Sequence, residues 1–466
     1  MSTINTNLAS LQAQISLQRN NQSLSTSLQR LSTGLKINTG ADDPAGLIAS
    51  QALQAQITGI NSALSNSTRA GNVLQTAEGA LNEVSSLLLQ LQGLNNQSAN
   101  TGALSSDEIA ANQLQVDSIL NSINRISNTT EFNGVQLLNG QLDYTTSGVN
   151  ASNFASTQIS SANLPDNGSV NVSVQVIASA QTAHLALAAS GISATPATFT
   201  ITGAIGSQSI TLAGSAHNSA IVAAINQYKS TTGVSAALSG ADLRVDSTGF
   251  GSKQFVQVKT TSGTFLNGSS TGVDAQVNIN GNKASVNGLT ASIDTADLAV
   301  SLNLTTAFGQ QTKNSSSFTI TGGGARFQLG STVNSQSQFS LGIQSVSTAS
   351  LGDSTDGYLA SIASGGANSL VSGNTTQAQL IINDAINQVS TLRGRLGAFE
   401  SDVLNSNSNS LNVALENVTS ANSSITDANF AAETANLTRA QVLVSANTSI
   451  LSTANSQPQS ILKLLG

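Results

Sequence analysis

Both ends of the chain carry narrow apolar stripes with helical spacing, and no other feature restricts its fold as much. Near the start, Leu8, Leu11 and Ile15 follow Ile4 at steps of three and four, and after a break near Arg19 the stripe resumes as Leu24, Leu28, Leu31 and Leu35. Near the end, Phe430, Leu437, Val444 and Leu451 fall seven apart, with Leu443 and Ile450 widening the stripe. A stripe that returns every 3.5 residues or so is a coiled-coil seam, which needs a partner helix to cover it. Matching seams at the two ends predict that the terminal helices pair with each other and hold the middle as an insertion.

Between the ends the periodicity changes twice. In LKINTGADDPAGLIAS (35–50) the first helix stops and a second begins: Gly40 permits a turn, Asp42 or Asp43 can accept from the free N–H groups of the new helix, and Pro44 suits its first turn. That helix carries Leu53, Ile57, Ile60 and Leu64, then Leu74, Ala77, Leu81, Val84, Leu88 and Leu91, and ends near Asn100 and Gly102. Ser105 with Glu108 forms a capping box for a third helix, with Ile109, Leu114, Val116, Ile119, Ile123 and Ile126 as its apolar positions. From about residue 147 to 369 short runs with a period of two, such as Val170, Val172, Val174 and Val176, predict a mainly β region. A helix-like stretch at 215–230 interrupts it. From 375 the helical spacing returns in Ile382, Ala385, Val389, Leu392, Leu396, Phe399 and Val403. The fold class expected is α+β: terminal helices paired as a coiled coil and helical bundle around a β-rich central insertion.

Composition narrows the possible functions. Only 8% of the 466 residues are charged, against a typical ~25%, so the surface is Ser, Thr, Asn and Gln. A net charge of −7 spread over this length supplies no basic stripe, and nucleic acid is not expected as a partner. Cysteine is absent, so disulfides and thiolate metal sites are excluded. The first twenty residues lack a basic and apolar signal-peptide pattern, and no apolar run is long enough to predict a membrane span.

No enzyme is expected. His184 and His217 are the only histidines, and neither stands at metal-ligand spacing, so both read as structural or solvent-exposed. Asp42 and Asp43, adjacent at a helix start, read as caps rather than as an acid/base pair. Gly322, Gly323 and Gly324 lack the Lys-Ser/Thr that a phosphate loop requires, and read as a turn between strands. No cofactor or metal follows from any of these. The terminal stripes, by contrast, reach almost to the chain ends, where a monomer normally frays, and small residues (Ala440, Ala446, Ala454) flank them. That combination points to packing among many copies.

Several long motifs carry a family resemblance. INTNLASLQAQ (4–14), LQRLSTGLKINTGADDPAGLIAS (28–50), TEFNGVQLLNG (130–140), GGARFQLG (323–330) and TRAQVLVSANTSILSTANSQPQSILKLLG (438–466) resemble bacterial flagellin. The stretch at about 215–260 is similar to the IN motif of flagellins and hook proteins. The resemblance implies an inner coiled-coil domain from residues 1–44 and 418–466 and a helical shell from 45–146 and 370–417. It implies a variable outer region over 147–369. It also implies polymerisation into the filament, secretion through the type III export apparatus, and encounters with a cap protein and hook-associated junction proteins. A junction protein, which shares the terminal helices, is the nearest rival.

Two further expectations come from the same resemblance. Ile461, Leu462, Leu464 and Leu465 would meet an export chaperone before secretion, because an uncovered apolar cluster would promote premature assembly. Many flagellins are detected by a toll-like receptor through a helix resembling LQRVRELAVQSAN, where this chain has LLQLQGLNNQSAN (88–100). The receptor-contacting arginine falls on Gln90, the contacting leucine is kept as Leu94, and a glutamate of the next helix falls on Gln115. Loss of the charges predicts weak toll-like receptor binding.

Overall fold

Asn7 starts the first helix, Leu8–Thr33, by accepting from the Ser10 N–H at 3.0 Å, and Gly34, at φ +73°, ends it in the left-handed conformation that suits glycine. The chain is a computed structural model that describes residues 6–164, 168–187, 196–240, 242–265, 267–295, 297–354 and 356–465. It divides into two units. One comprises Met1–Ser67, Leu329–Thr332 and Asn405–Gly466, and the other Thr68–Gln328 and Val333–Leu404.

In the first unit the Asp43 carboxylate accepts from Gly46 N at 2.9 Å, one residue before Pro44 opens the long helix Pro44–Ser98. Asp42 instead turns back onto Asn38 N (3.1 Å) and Thr39 N (2.8 Å), and the bonds from Thr39 hold its carboxyl below the usual range. The returning chain forms Ser406–Thr426 and, after a short break, Phe430–Leu465. The two breaks are laced together: Lys36 N donates to Thr426 O at 2.7 Å and Ala428 N to Gly34 O at 2.9 Å. From there the first and last helices run antiparallel, since Ser27 meets Glu433 and Asn7 meets Ala454.

In the second unit, residues 68–98 of the long helix bundle with Ser106–Thr129 and Thr375–Ala398. Leu74, Ala77, Leu81, Val84, Leu88 and Leu91 are all buried, as are Val116, Leu120, Ile123, Ile382, Ala385, Val389, Leu392 and Leu396. The capping box at Ser105 and Glu108 is complete. Two expectations need correction. Leu114, read as a core position, is 70% exposed, while its neighbour Gln113 is buried and serves as a polar staple. Gln113 donates to Ile362 O at 3.0 Å and accepts from Leu370 N at 2.7 Å, so it pairs one backbone carbonyl and one N–H of the segment that crosses the bundle. The even apolar spacing through Phe399 and Val403 is also broken. Residues Phe399–Asn405 form a π-helical turn, whose wider winding delays the inward position to Leu404 and leaves Val403 half-buried.

The middle is β, in two modules with separate cores. One packs a five-stranded antiparallel sheet, with Val170–Ala178 at its centre, against a four-stranded sheet that includes Leu298–Leu304. Val172, Val174 and Val176 point into this core, where Phe154 meets Phe308 and Phe318 edge-on. The other module, with sheets built on Ala197–Gly203 and Asp242–Phe250, encloses Phe199, Ile201, Val245 and Val256 beneath the helix Asn218–Gln227. A bridge at its base joins Gln181 and Val273. Residues 343–370 leave the β modules and close over the bundle, with Thr348 bonded to Asn124 and Ser364 to Asp117. Among the described residues, no helix is long and apolar enough to cross a membrane.

Candidate assembly surface

The contact between the first and last helices is made mostly by small side chains, with Glu433 the exception. Ser10, Ala13 and Ser27 are buried on one helix, and Glu433, Ala440 and Ala454 on the other. Within each helix these positions keep a seven-residue beat, Ala13 to Ser27 and Glu433 to Ala440 to Ala454, and so form one line of a coiled-coil seam. Small residues there allow the backbones to approach closely. Polar bonds set the register: Ser10 Oγ to Asn455 Oδ1 at 2.7 Å, Ser27 Oγ to Glu433 Oε1 at 2.6 Å, and Asn7 Nδ2 to Ala454 O at 2.7 Å. Arg19, Arg30 and Arg439 line a groove of 550 Å³ along this pair, with Glu433 in its wall. Most of its lining side chains are polar, and Ala440 and Leu443 add apolar surface.

The large side chains of the expected seam are not brought together by this pairing. Leu24, Leu31, Leu437, Val444 and Leu451 are half-buried beside the small-residue line. Leu8 (68%), Leu11, Ile15, Leu28, Leu35 and Phe430 (69%) are exposed, as are Val442, Leu443 and Ile450. Periodicity marked these residues as facing a partner, but could not separate a partner in the same chain from one outside it. The alanines three positions after Leu437 and Leu451, in step with Glu433 three positions after Phe430, were the signal that could have found the internal contact. Ala446, expected to flank it, is exposed. Ile461, Leu462, Leu464 and Leu465 occupy the last turns of the final helix, and their side chains lie outside the described residues.

On the second unit, exposed Gln90 and half-buried Leu94 lie on the long helix and exposed Gln115 on the third helix. A carboxylate cluster that the sequence did not disclose lies on the same unit. Oxygen atoms of Asp353, Asp356 and Asp384 come within 4.8 Å of one another. Burial, then the charges of Asp353 and Asp356, push Asp384 up to about 6. Their mutual repulsion, added to burial, keeps a proton on Asp384 to higher pH than an ordinary carboxyl would. His184 Nδ1 lies 2.8 Å from Asp246, which Arg244 also contacts at 2.6 Å, across two neighbouring strands of a three-stranded sheet.

Comparison with known proteins agrees with this layout. Residues 4–143 match the model of the bacterial flagellin N-terminal helical region, 380–465 that of the bacterial flagellin C-terminal helical region, and 198–249 that of the flagellin hook IN motif. The chain is 29% identical to the B-type flagellin of Pseudomonas aeruginosa and 28% identical to flagellin E of Vibrio cholerae, in each case over 99% of both chains. Against polar flagellin F of Vibrio parahaemolyticus the identity is 40%, over 34% of this chain and 41% of that one.

Proposed function

The chain belongs to the bacterial flagellins and is a subunit of the flagellar filament, and from that premise we propose that the pair of terminal helices is its polymerising element. The observation that carries this reading is the division of labour on those helices: small residues close the pair internally, while Leu8, Leu11, Ile15, Leu28, Phe430 and Ile450 face outward. An exposed apolar set of this kind marks a surface awaiting a partner, and other copies of the same chain supply one. Each such side chain is worth roughly 1.5–3 kcal/mol on burial before ordering entropy is subtracted. Removing residues 430–466 is expected to give a soluble chain that forms no filaments under seeded electron microscopy; normal filaments from the truncated chain would refute the assignment.

Residues 1–44 and 418–466 are assigned to an inner coiled coil, 45–146 and 370–417 to the surrounding shell, and the β modules within 147–369 to the outer region. Residues 343–370 are grouped with the shell because they bond to its helices. The subunit works by packing, as an extracellular structural protein without a catalytic role. Export through a type III apparatus, a cap protein and hook-associated junction proteins complete the setting. Ile461, Leu462, Leu464 and Leu465 are assigned to chaperone binding before export, and changing all four to Ser should weaken that binding in calorimetry. Unchanged affinity would reject this assignment.

A further inference from the structure

The chain contains two hairpins whose loops are the same dipeptide in the same conformation. Phe132 pairs with Val135 across Asn133-Gly134, at φ +52° and +80°, and Ile279 pairs with Asn282 across Asn280-Gly281, at φ +51° and +82°. Positive φ at both central residues is the hairpin turn that favours Asn-Gly. Both dipeptides are exposed. Their side chains differ. Asn280 is clamped to the neighbouring strand, its Oδ1 accepting from Ser173 N at 2.7 Å and its Nδ2 donating to Asn171 O at 3.2 Å, while its own N–H donates to Ser173 O at 2.8 Å. Among the described residues, the Asn133 amide has no such partner.

We propose that Asn133-Gly134 is a site of spontaneous deamidation, with Asn280-Gly281 as its protected twin. The Gly134 backbone nitrogen attacks Asn133 Cγ and forms a five-membered imide. The Cγ–Nδ2 bond breaks, and the proton lost from the Gly134 nitrogen leaves with ammonia. Water then adds across either imide carbonyl and yields aspartate or isoaspartate. The net change is asparagine plus water to an acid plus ammonia, with one negative charge gained beside Glu131. Glycine after the asparagine removes the Cβ that would hinder the attack.

Ring closure requires the turn to leave its left-handed conformation, so the rate depends on how freely the hairpin opens. Strands Glu131–Phe132 and Val135–Gln136 hold only two paired positions each, and so short a hairpin opens at little cost. Strand Gln276–Ile279, by contrast, pairs on both sides within a five-stranded sheet. The other described Asn-Gly dipeptides are also restrained. Asn139 accepts from Gln141 N at 3.0 Å, Asn267 accepts from Thr260 N at 2.5 Å, and Gly288 N, the nucleophile after Asn287, donates to Asp274 at 2.7 Å. Isoaspartate would add a methylene to the backbone and break the Phe132–Val135 register.

The test incubates the full chain in warm, mildly alkaline buffer and follows each Asn-Gly peptide by mass spectrometry, with fragmentation that separates isoaspartate from aspartate. In the folded chain Asn133 should convert about ten-fold or more faster than Asn280, because two net hydrogen bonds restrain only the latter. In urea the two rates should converge. Equal rates in the folded chain, or an unchanged ratio in urea, would overturn the proposal.

Discussion

Ser27 and Glu433, 5% and 8% exposed, face each other across the terminal helix pair with a 2.6 Å hydrogen bond, and Arg30 lies 3.9 Å from the other carboxylate oxygen. Glu433→Ala would remove the acceptor of the buried Ser27 hydroxyl. It should destabilise the pair by about 1–3 kcal/mol, read as faster hydrogen exchange in residues 8–33 and 430–455, whereas an unchanged exchange pattern would count against a structural role for this bond. Asp384 behaves differently, since its folded pKa of about 6 lies above the ordinary 3.8. The folded chain therefore holds an extra proton between those values, and the stability this group contributes is greatest at low pH and falls as pH rises through about 6. Asp384→Asn is expected to raise the melting temperature at neutral pH and to leave it nearly unchanged near pH 3.5 or so, below the unfolded pKa. A melting temperature lowered at neutral pH would show that the carboxylate is bound by something favourable.

At the scale of single elements, the long helix shows how one stretch of chain serves different neighbours along its length. Its residues 74–91 are core on one face, yet Leu89 on another face is 55% exposed, and the Gln90 side chain beside it is exposed too. An uncharged amide cannot copy the bidentate and stacked contacts of a guanidinium, and each lost charged hydrogen bond at an interface costs on the order of 1.5–3 kcal/mol. The unmodified monomer should thus activate the toll-like receptor weakly. Gln90→Arg with Gln115→Glu should recover affinity by about 100-fold if the two effects add. Full-strength activation by the unmodified chain in a cell reporter assay would refute this.

For the whole molecule, the β modules differ in how they can be removed. Gln181 N donates to Val273 O at 2.8 Å and Val273 N returns to Gln181 O at 3.0 Å, so the IN-like module leaves and re-enters at one point. Its core, from Ala183 to Val258, is its own. Replacing 182–272 with a short Gly/Ser linker should therefore leave the remaining chain folded and able to form a thinner filament. Excising all of 147–369 is a different operation. It removes Ile362, whose carbonyl accepts from buried Gln113, and the Thr348 contact of Asn124, and should abolish cooperative unfolding of the bundle. Retained cooperative melting after the larger deletion would show that residues 343–370 are dispensable cover.

What the amino-acid order determined alone is local. The capping box at Ser105, the Asp43 and Pro44 restart, the buried valines of Val170–Ala178 and the apolar faces of the helices all follow from spacing and from turn chemistry within a few residues. Family motifs at both ends added the filament. Tertiary structure decided which face met which partner. A period of seven says that a face will be covered, but only the backbone separation reveals that Ala13, Ala440 and Ala454 lie at the internal contact while Leu8 and Phe430 lie outside. The same holds for Gln113 buried beside an exposed Leu114, for the π turn that exchanged Val403 for Leu404, and for Asp353, Asp356 and Asp384, which converge from different elements. Even two identical Asn-Gly turns were made chemically unequal by a strand distant in sequence. Hydrogen bonds and burial depend on neighbours in space, and periodicity carries no record of which neighbours those will be.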